Sequence, residues 1–362
     1  MKTALLIPIY EPSARVLPFL SSIPSDSFDY FYAVDDGSGE AYKEIFDSLA
    51  STTSFKVISY PKNKGKGRAL KIGVASIRKE HPEVELILTA DSDGQHSLKD
   101  ILHLKEEAES HPDALLLGSR DFSCSNVPSR NRAGNRFSSF YFRLTTRKKV
   151  YDTQTGLRAI PSILFDLALE TPGERFEYEM NFLLSAVKET DVVEIPIETI
   201  YEENGGSHFR PVRDSLRIYK TPLLYLLVSL TSFGVDIGLF HLLSNFVFTT
   251  DMEQRVFLSA FVARVASGLY NFLMFHFLVF KKEEKFGRKA LKYSILWSLN
   301  YGLSSGLTYL FNNLPASLTF IKFVVDVFLA IVNYLINLTW VFAKKRRKKK
   351  NKKKTQEEAK AS

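Results

Sequence analysis

Cysteine is nearly absent: Cys124 is the only one in 362 residues. No intrachain disulfide can form, so the fold rests on its core rather than on cross-links, as suits a chain kept in a reducing compartment. Tryptophan is almost as scarce, and Trp297 and Trp340 both sit inside long apolar runs. Charge of one sign is also lacking once a single segment is set aside. The formal net charge is +8, but ten Lys or Arg fall in residues 344–354, and removing those ten leaves −2. The basic character is therefore a tag beside the last apolar segment, of the kind that anionic lipid headgroups attract. No platform of interleaved basic and aromatic residues accompanies it, so nucleic acid is not an expected partner. The apolar run 4–9 behind Met1 and Lys2 is too short for a secretory leader and is interrupted by Pro8, so a first strand is expected there.

What the chain does contain divides it unevenly. Residues 1–218 mix charged, apolar and turn-forming residues as a water-facing α/β domain does, residues 219–343 are dominated by apolar runs, and residues 344–362 form the basic tail. In the first part, apolar stretches at 5–9, 30–34, 55–59, 86–89 and 114–117 alternate with helical patterns. That alternation predicts a Rossmann-like, mostly parallel sheet with helices on both faces, which binds ligands at the carboxyl ends of its strands. In the second part, segments 222–243, 256–280, 290–311 and 318–342 each reach the ~20 residues that cross a bilayer. The loop between the second and third holds Lys281, Lys282, Lys285, Arg288, Lys289 and Lys292, whereas the other two loops hold only Arg255. The positive-inside rule then predicts four transmembrane helices with both termini cytoplasmic. A buried helical bundle in a soluble protein is the alternative.

The polar clusters that follow the strands carry the chemistry. Asp35-Asp36-Gly37-Ser38 offers two carboxylates and a glycine for a sharp turn beneath a ligand. Asp91-Ser92-Asp93-Gly94-Gln95-His96 places two carboxylates and a side-chain carbonyl in one turn, a hard oxygen set suited to Mg²⁺ or Mn²⁺. An acidic turn that merely caps the next helix is the competing account of the same residues.

Taken in order, Ile7-Pro8-Ile9-Tyr10-Glu11, the 35–38 cluster, Asn63-Lys64-Gly65-Lys66-Gly67-Arg68-Ala69, the 91–96 cluster and Gly118-Ser119-Arg120 resemble the inverting family 2 glycosyltransferases of GT-A fold. Within that family the chain looks most like the polyprenyl-phosphate glycosyltransferases, over roughly residues 3–215. The resemblance implies that Pro8, Tyr10, Glu11, Asp36, Lys64, Gly65, Arg68, Asp91 and Ser92 line a nucleotide-sugar site. It implies that Asp91, Asp93 and Gln95 hold the Mg²⁺ or Mn²⁺, and that Arg120 faces phosphate. Asp93, Asp152 and Arg120 are the catalytic candidates, and Arg120, Arg130 and Arg132 the candidates for the acceptor phosphate.

Four further regions complete the reading. Phe137, Phe140, Tyr141 and Leu144 recur at i, i+3, i+4 and i+7 among Arg130, Arg132, Arg136, Arg143 and Arg147. This is the pattern of a helix in the membrane interface, or of one facing the core. The segment 151–158 has Leu157 where the family commonly has an aromatic residue after the glycine. The segment 204–210, with His208, reads as a mobile loop that closes over bound donor. The apolar half resembles the GtrA-like membrane domain. In it Asp236, Arg264 and Asp326 fall seven or eight residues from one end of their segments, roughly 11 Å deep, with Lys322 nearby, as an ionic cluster would.

The activity this implies is inverting transfer of a sugar from a UDP- or GDP-linked donor to polyprenyl phosphate at the cytoplasmic membrane face, for cell-envelope glycosylation. Two alternatives stand beside it: transfer to a diacylglycerol-type hydroxyl with Asp152 as base, and a lipid translocase or scaffold that only senses nucleotide-sugar. A processive polysaccharide synthase is disfavoured because no Gln-x-x-Arg-Trp motif is present. A homo-oligomer is left open.

Overall fold

The structure, a computed structural model, describes residues 1–124, 127–198, 219–248, 251–279, 286–311 and 318–341. The chain divides into two compact units, Met1–Ile218 and Tyr219–Ser362. The first is built on strands β1 (Thr3–Ile9), β2 (Tyr30–Asp35), β3 (Phe55–Ser59), β4 (Leu86–Thr89), β5 (Leu115–Arg120), β6 (Arg158–Pro161) and β7 (Val192–Ile197). They form one sheet in the order β3-β2-β1-β4-β6-β5-β7. Every neighbouring pair is parallel except those made by β6, which runs antiparallel to both β4 and β5. This is the mostly parallel α/β sheet that the alternation predicts, with one reversed strand inserted.

Alternation along each strand makes two cores. Ala4 and Leu6 of β1 with Tyr32 and Val34 of β2 face one side, where Leu70, Val74, Ile77, Phe142 and Leu183 cover them. Leu5, Ile7 and Ile9 face the other, against Val16, Leu20, Leu49, Ile101 and Leu104. Pro8 lies inside β1, yet β4 pairs only with Thr3–Leu6 on that side. Its missing N–H therefore falls beyond the last rung of that ladder.

The connecting helices are α1 (Val16–Ser21), α2 (Lys43–Thr52), α3 (Lys66–Glu80), α4 (Leu98–Ser110), α5 (Ser129–Thr146), α6 (Phe165–Glu170) and α7 (Glu177–Ala186). Helix α5 inverts the usual arrangement. Its polar residues Asn135 and Ser138 are buried with Phe142, while Phe137 and Phe140 are 56% and 62% exposed. Asn135 Nδ2 and Ser139 Oγ both donate to the carbonyl of Tyr151, and Ser138 Oγ meets Thr153 Oγ1. Of the two readings of this helix, the core-facing one is overturned for Phe137 and Phe140, because hydrogen bonds to the 151–153 loop hold the opposite face.

The second unit contains α8 (Lys220–Leu242), α9 (Met252–Met274), α10 (Phe286–Leu310) and α11 (Leu318–Ile336). A π-helical turn extends α8 over Leu243–Val247, α9 over Phe275–Val279 and α11 over Asn337–Val341. Lys220–Val247 and Phe261–Val279 are long and apolar enough to cross a membrane. Leu226, Leu230, Phe233 and Ile237 of α8 are more than half exposed, as lipid-facing side chains are. Where α8 meets α9, Ser232 Oγ donates to the Ser267 carbonyl at 3.0 Å, Ser267 Oγ donates to Asp236 Oδ1 at 3.0 Å, and Arg264 Nη2 lies 3.4 Å from Asp236 Oδ2. The side chains of Arg130, Lys322 and Asp326, the 204–210 segment and the tail lie outside the described residues.

Candidate active site

The reversed β6 decides which loops meet. Because it lies between β4 and β5 and runs against them, the loop that precedes it, 152–157, comes to the same edge as the carboxyl ends of its neighbours. Asp152 and Gly156 thereby stand between the 91–96 turn after β4 and Arg120 at the end of β5. Thr89 Oγ1 of β4 donates to the Gly156 carbonyl at 2.9 Å. A Cβ at Gly156 would come within 2.3 Å of Asp91 Oδ2, so the glycine is what admits the Asp91 carboxylate.

The 91–96 turn does not cap the next helix. That duty falls to Ser97, whose Oγ accepts from the Asp100 amide at 3.1 Å and donates to Asp100 Oδ2 at 2.7 Å. Asp91 instead meets Lys66 Nζ at 2.5 Å, and the same ammonium lies 2.9 Å from Glu179 Oε1. Burial opposes the charge on Asp91, but the Lys66 ammonium, with His96 behind it, outweighs burial and holds the carboxyl far below the usual carboxylate range. Burial likewise opposes the Lys66 charge, and Asp91 and Glu179 more than offset it, pushing the lysine up.

Asp93 is exposed in the turn, and partial desolvation of its carboxyl together with the nearby Asp91 charge pushes its pKa up. Its Oδ1 accepts from the Gln95 amide at 3.1 Å. Asp93 is thus a carboxylate short of positive charge beside a second one, and with the Gln95 carbonyl the donor set is the hard-oxygen set that Mg²⁺ or Mn²⁺ prefers. Among the described residues no group of three or more His, Cys, Asp or Glu side chains is arranged to hold a metal ion, so Asp91 and Asp93 are two carboxylates with an amide and not a full protein cage.

Asp36 is 3% exposed and ties a loop together. Its Oδ1 accepts from Tyr60 Oη at 2.5 Å, Lys64 N at 2.8 Å and Gly65 N at 3.0 Å, and its Oδ2 from Asn63 Nδ2 at 3.1 Å and Gly65 N at 2.8 Å. Asp36, expected at the nucleotide, here uses both carboxylate oxygens to hold the loop that carries Lys64, Gly65 and Arg68. Gly65, at φ +111°, packs on the 174–175 backbone, and the Arg68 amide donates to the Glu174 carbonyl at 2.8 Å. Glu11, at φ +44°, closes the adjacent loop by donating its amide to Ser38 Oγ at 2.9 Å. Lys64 is exposed, while Tyr10, Glu11, Arg68 and Ser92 are half-buried at this edge and Pro8 is buried.

Asp152 is fully buried and bound in a fork: Arg120 Nε donates to Oδ2 at 2.7 Å and Nη2 to Oδ1 at 3.2 Å, joined by the Gln154 amide at 3.1 Å. Arg120 also stacks over Phe122, 5.3 Å from its ring centre. Asp152, the candidate base, is thus held by Arg120, and Arg120, the candidate for phosphate, spends Nε and one Nη2 hydrogen on Asp152. Arg132 is half-buried, and its Nη2 donates to the Cys124 carbonyl at 3.0 Å. Sequence reasoning missed Lys66 as a bridge, the buried Arg158, which donates to the carbonyls of Thr155 and Glu179, and Glu194, which accepts from the amides of Tyr151 and Asp152. The one available signal was the lysine between Gly65 and Gly67, where close packing on both sides leaves the side chain only an inward course.

A seven-stranded, mostly parallel sheet that gathers carboxylates and cations at one edge defines an α/β domain of GT-A type. Residues 5–166 match Glycosyl transferase family 2, and residues 224–342 match the GtrA/DPMS transmembrane domain. The chain thus carries a family 2 glycosyltransferase domain, and with it an enzyme of that class, followed by a GtrA/DPMS membrane domain. Among its relatives, UDP-N-acetylglucosamine–dolichyl-phosphate N-acetylglucosaminyltransferase of Methanococcus voltae is 28% identical over 59% of this chain and 92% of its own length. Dolichyl-phosphate beta-glucosyltransferase of Trichomonas vaginalis is 24% identical over 58% of this chain and 66% of its own. Glucosyl-3-phosphoglycerate synthase from Mycobacterium tuberculosis, solved with Mn²⁺, UDP-glucose and phosphoglyceric acid, is 16% identical with a TM-score of 0.47 over 62% of this chain and 78% of that one.

Proposed function

We propose that the protein transfers a sugar from a UDP- or GDP-linked donor to polyprenyl phosphate, with inversion, at the cytoplasmic membrane face. The observation that carries the reading is the Asp91–Asp93 pair, relieved of capping duty and set at the sheet edge beside the 63–68 loop. The names of the two relatives, both of which act on dolichyl phosphate, support the acceptor class.

Asp91, Asp93 and Gln95 would hold Mg²⁺ or Mn²⁺, which when bound neutralises the leaving diphosphate. The 63–68 loop, fixed by Asp36, offers Lys64 and Arg68 to the nucleotide side. The Asp152–Arg120 fork positions the loop under Asp91. A lipid phosphate is already anionic at neutral pH and needs no base to attack the anomeric carbon, whereas a lipid hydroxyl does. With Asp152 bound by Arg120, the phosphate acceptor is favoured over the diacylglycerol one. Four crossings with both termini cytoplasmic fit the basic 281–292 stretch, and the exposed Phe137 and Phe140, ringed by exposed Arg136, Arg143 and Arg147, fit a helix lying against lipid.

The test is incubation of the detergent-solubilised protein with labelled UDP- and GDP-sugars and polyprenyl phosphate, with Mn²⁺, Mg²⁺ or chelator. An acid-labile lipid product that requires metal is expected from one donor. Intact donors throughout, or product formed only on diacylglycerol, would overturn the assignment.

A further inference from the structure

Lys66 is an unusual occupant for the edge of a divalent-ion site. It opens α3 between two glycines, each packed too closely for a side chain: a Cβ at Gly65 would lie 2.6 Å from the Glu174 carbonyl oxygen, and one at Gly67 2.4 Å from Tyr178 Cβ. The Lys66 side chain, 16% exposed, is directed between Asp91 of the β4 loop and Glu179 of α7. Arg158, 3% exposed, lies beneath and donates to the Glu179 carbonyl at 3.0 Å. His96, 1% exposed, sits behind Asp91 with Nε2 at 3.7 Å from Oδ2. The local charges are thus Asp91, Asp93 and Glu179 against Lys66 and Arg158.

That inventory sets a condition on metal binding. Three carboxylates against two cations leave one negative charge, and a divalent ion arriving alone would turn the local balance positive beside a held ammonium. In a half-buried site like charges repel strongly. A diphosphate arriving with the ion restores the balance. We propose that Lys66 is the resident counter-ion of Asp91 and makes divalent-ion binding conditional on the donor's diphosphate. The site then takes up metal and nucleotide together, and in the absence of donor it leaves free metal in solution. This rests on the reading of Asp91 and Asp93 as metal ligands.

The experiment is titration of the full-length protein in detergent with Mn²⁺, counting free ion by electron paramagnetic resonance, alone and with UDP or GDP. The wild type is expected to bind Mn²⁺ about tenfold or more tightly with one nucleotide than without. Lys66→Met is expected to bind Mn²⁺ alone roughly tenfold better, so that the nucleotide enhancement shrinks, whereas Lys66→Arg keeps the wild-type pattern. Glu179→Gln acts in the opposite direction, weakening binding of Mn²⁺ alone because Lys66 is left to Asp91. Should Lys66→Met fail to fold, Lys66→Arg and Glu179→Gln carry the test. Unchanged Mn²⁺ affinity in a folded Lys66→Met, or in Glu179→Gln, overturns the counter-ion role while the metal site stands. A wild type that binds no Mn²⁺ with either nucleotide removes the metal site itself and this inference with it.

Discussion

Asparagine at position 152 keeps the shape of the side chain and removes its charge. In the native fork Arg120 Nε and Nη2 each donate to a different oxygen of Asp152, at 2.7 and 3.2 Å, and the Gln154 amide adds a third donor at 3.1 Å. An asparagine has one oxygen for these donors and turns an NH₂ toward one arm of the guanidinium, donor against donor. Arg120 stays charged with its side chain 13% exposed. Weakening a nearly buried ion pair costs up to roughly 3–5 kcal/mol, and the contacts that Arg120 keeps, Phe122 among them, point to the lower end, about 3 kcal/mol. For a unit of about 200 residues that lowers the melting midpoint by roughly 6–12 °C. Scanning calorimetry in detergent checks this, and Arg120→Met combined with Asp152→Asn is expected to cost less than the two single changes summed. A folded Asp152→Asn with an unchanged midpoint and no turnover would refute the reasoning. Asp152 would then be a working base, and a hydroxyl acceptor would regain its standing.

Three other perturbations probe separate parts of the molecule. Gly156→Ala places a Cβ against Asp91 Oδ2, so the metal concentration for half-maximal transfer should rise about tenfold, and an unaltered metal titration would contradict the packing. The Asp29 carboxyl, held to about 2 by its hydrogen bond from Lys2, contributes stability above the usual carboxylate pKa of 3.8 that is lost as pH falls toward 2. Asp29→Asn should accordingly melt below wild type at pH 7, with the gap closing by about pH 2, as melting curves across that range would show. Phe140→Asp alters a ring that is 62% exposed, so the midpoint should move by about 2 °C or less. Transfer to long-chain lipid phosphate in vesicles should fall while transfer to a short soluble analogue holds, and equal loss on both acceptors would speak against lipid contact.

Five strands were legible because each is an apolar run between turn residues. The other two were not. β6 has four residues and opens on Arg158 and closes on Pro161, while β7 reads Val-Val-Glu-Ile-Pro-Ile, with Glu194 serving as a hydrogen-bond hub and Pro196 lacking a donor. Missing β6 had a consequence for the site, since only its reversed course brings residues 152–157 beneath Asp91. The polar motifs fall together at one edge of the sheet, as their places after the strands led one to expect, but pairings across long stretches of chain, such as Arg120 with Asp152 or Lys66 with Glu179, follow from strand order and not from local pattern. On α5 the apolar spacing identified a coherent face, and its direction depended on hydrogen bonds to Tyr151 and Thr153 that no periodicity reveals.

The three glycines at the sheet edge have a bearing on inheritance. Each closes against a different loop: Gly37 within 2.5 Å of the Asn63 amide nitrogen, Gly65 within 2.6 Å of the Glu174 carbonyl, and Gly156 within 2.3 Å of Asp91, measured to the Cβ each lacks. Drift at any one of these positions is therefore not a local event. A descendant that acquires a side chain at 65 must also have reshaped the 173–175 turn, and one that acquires it at 156 must have moved a carboxylate. The loops of this edge are linked so that they diversify in pairs, which leaves the variable surface of the enzyme, and with it the room for new donor or acceptor preferences, at positions outside that linkage.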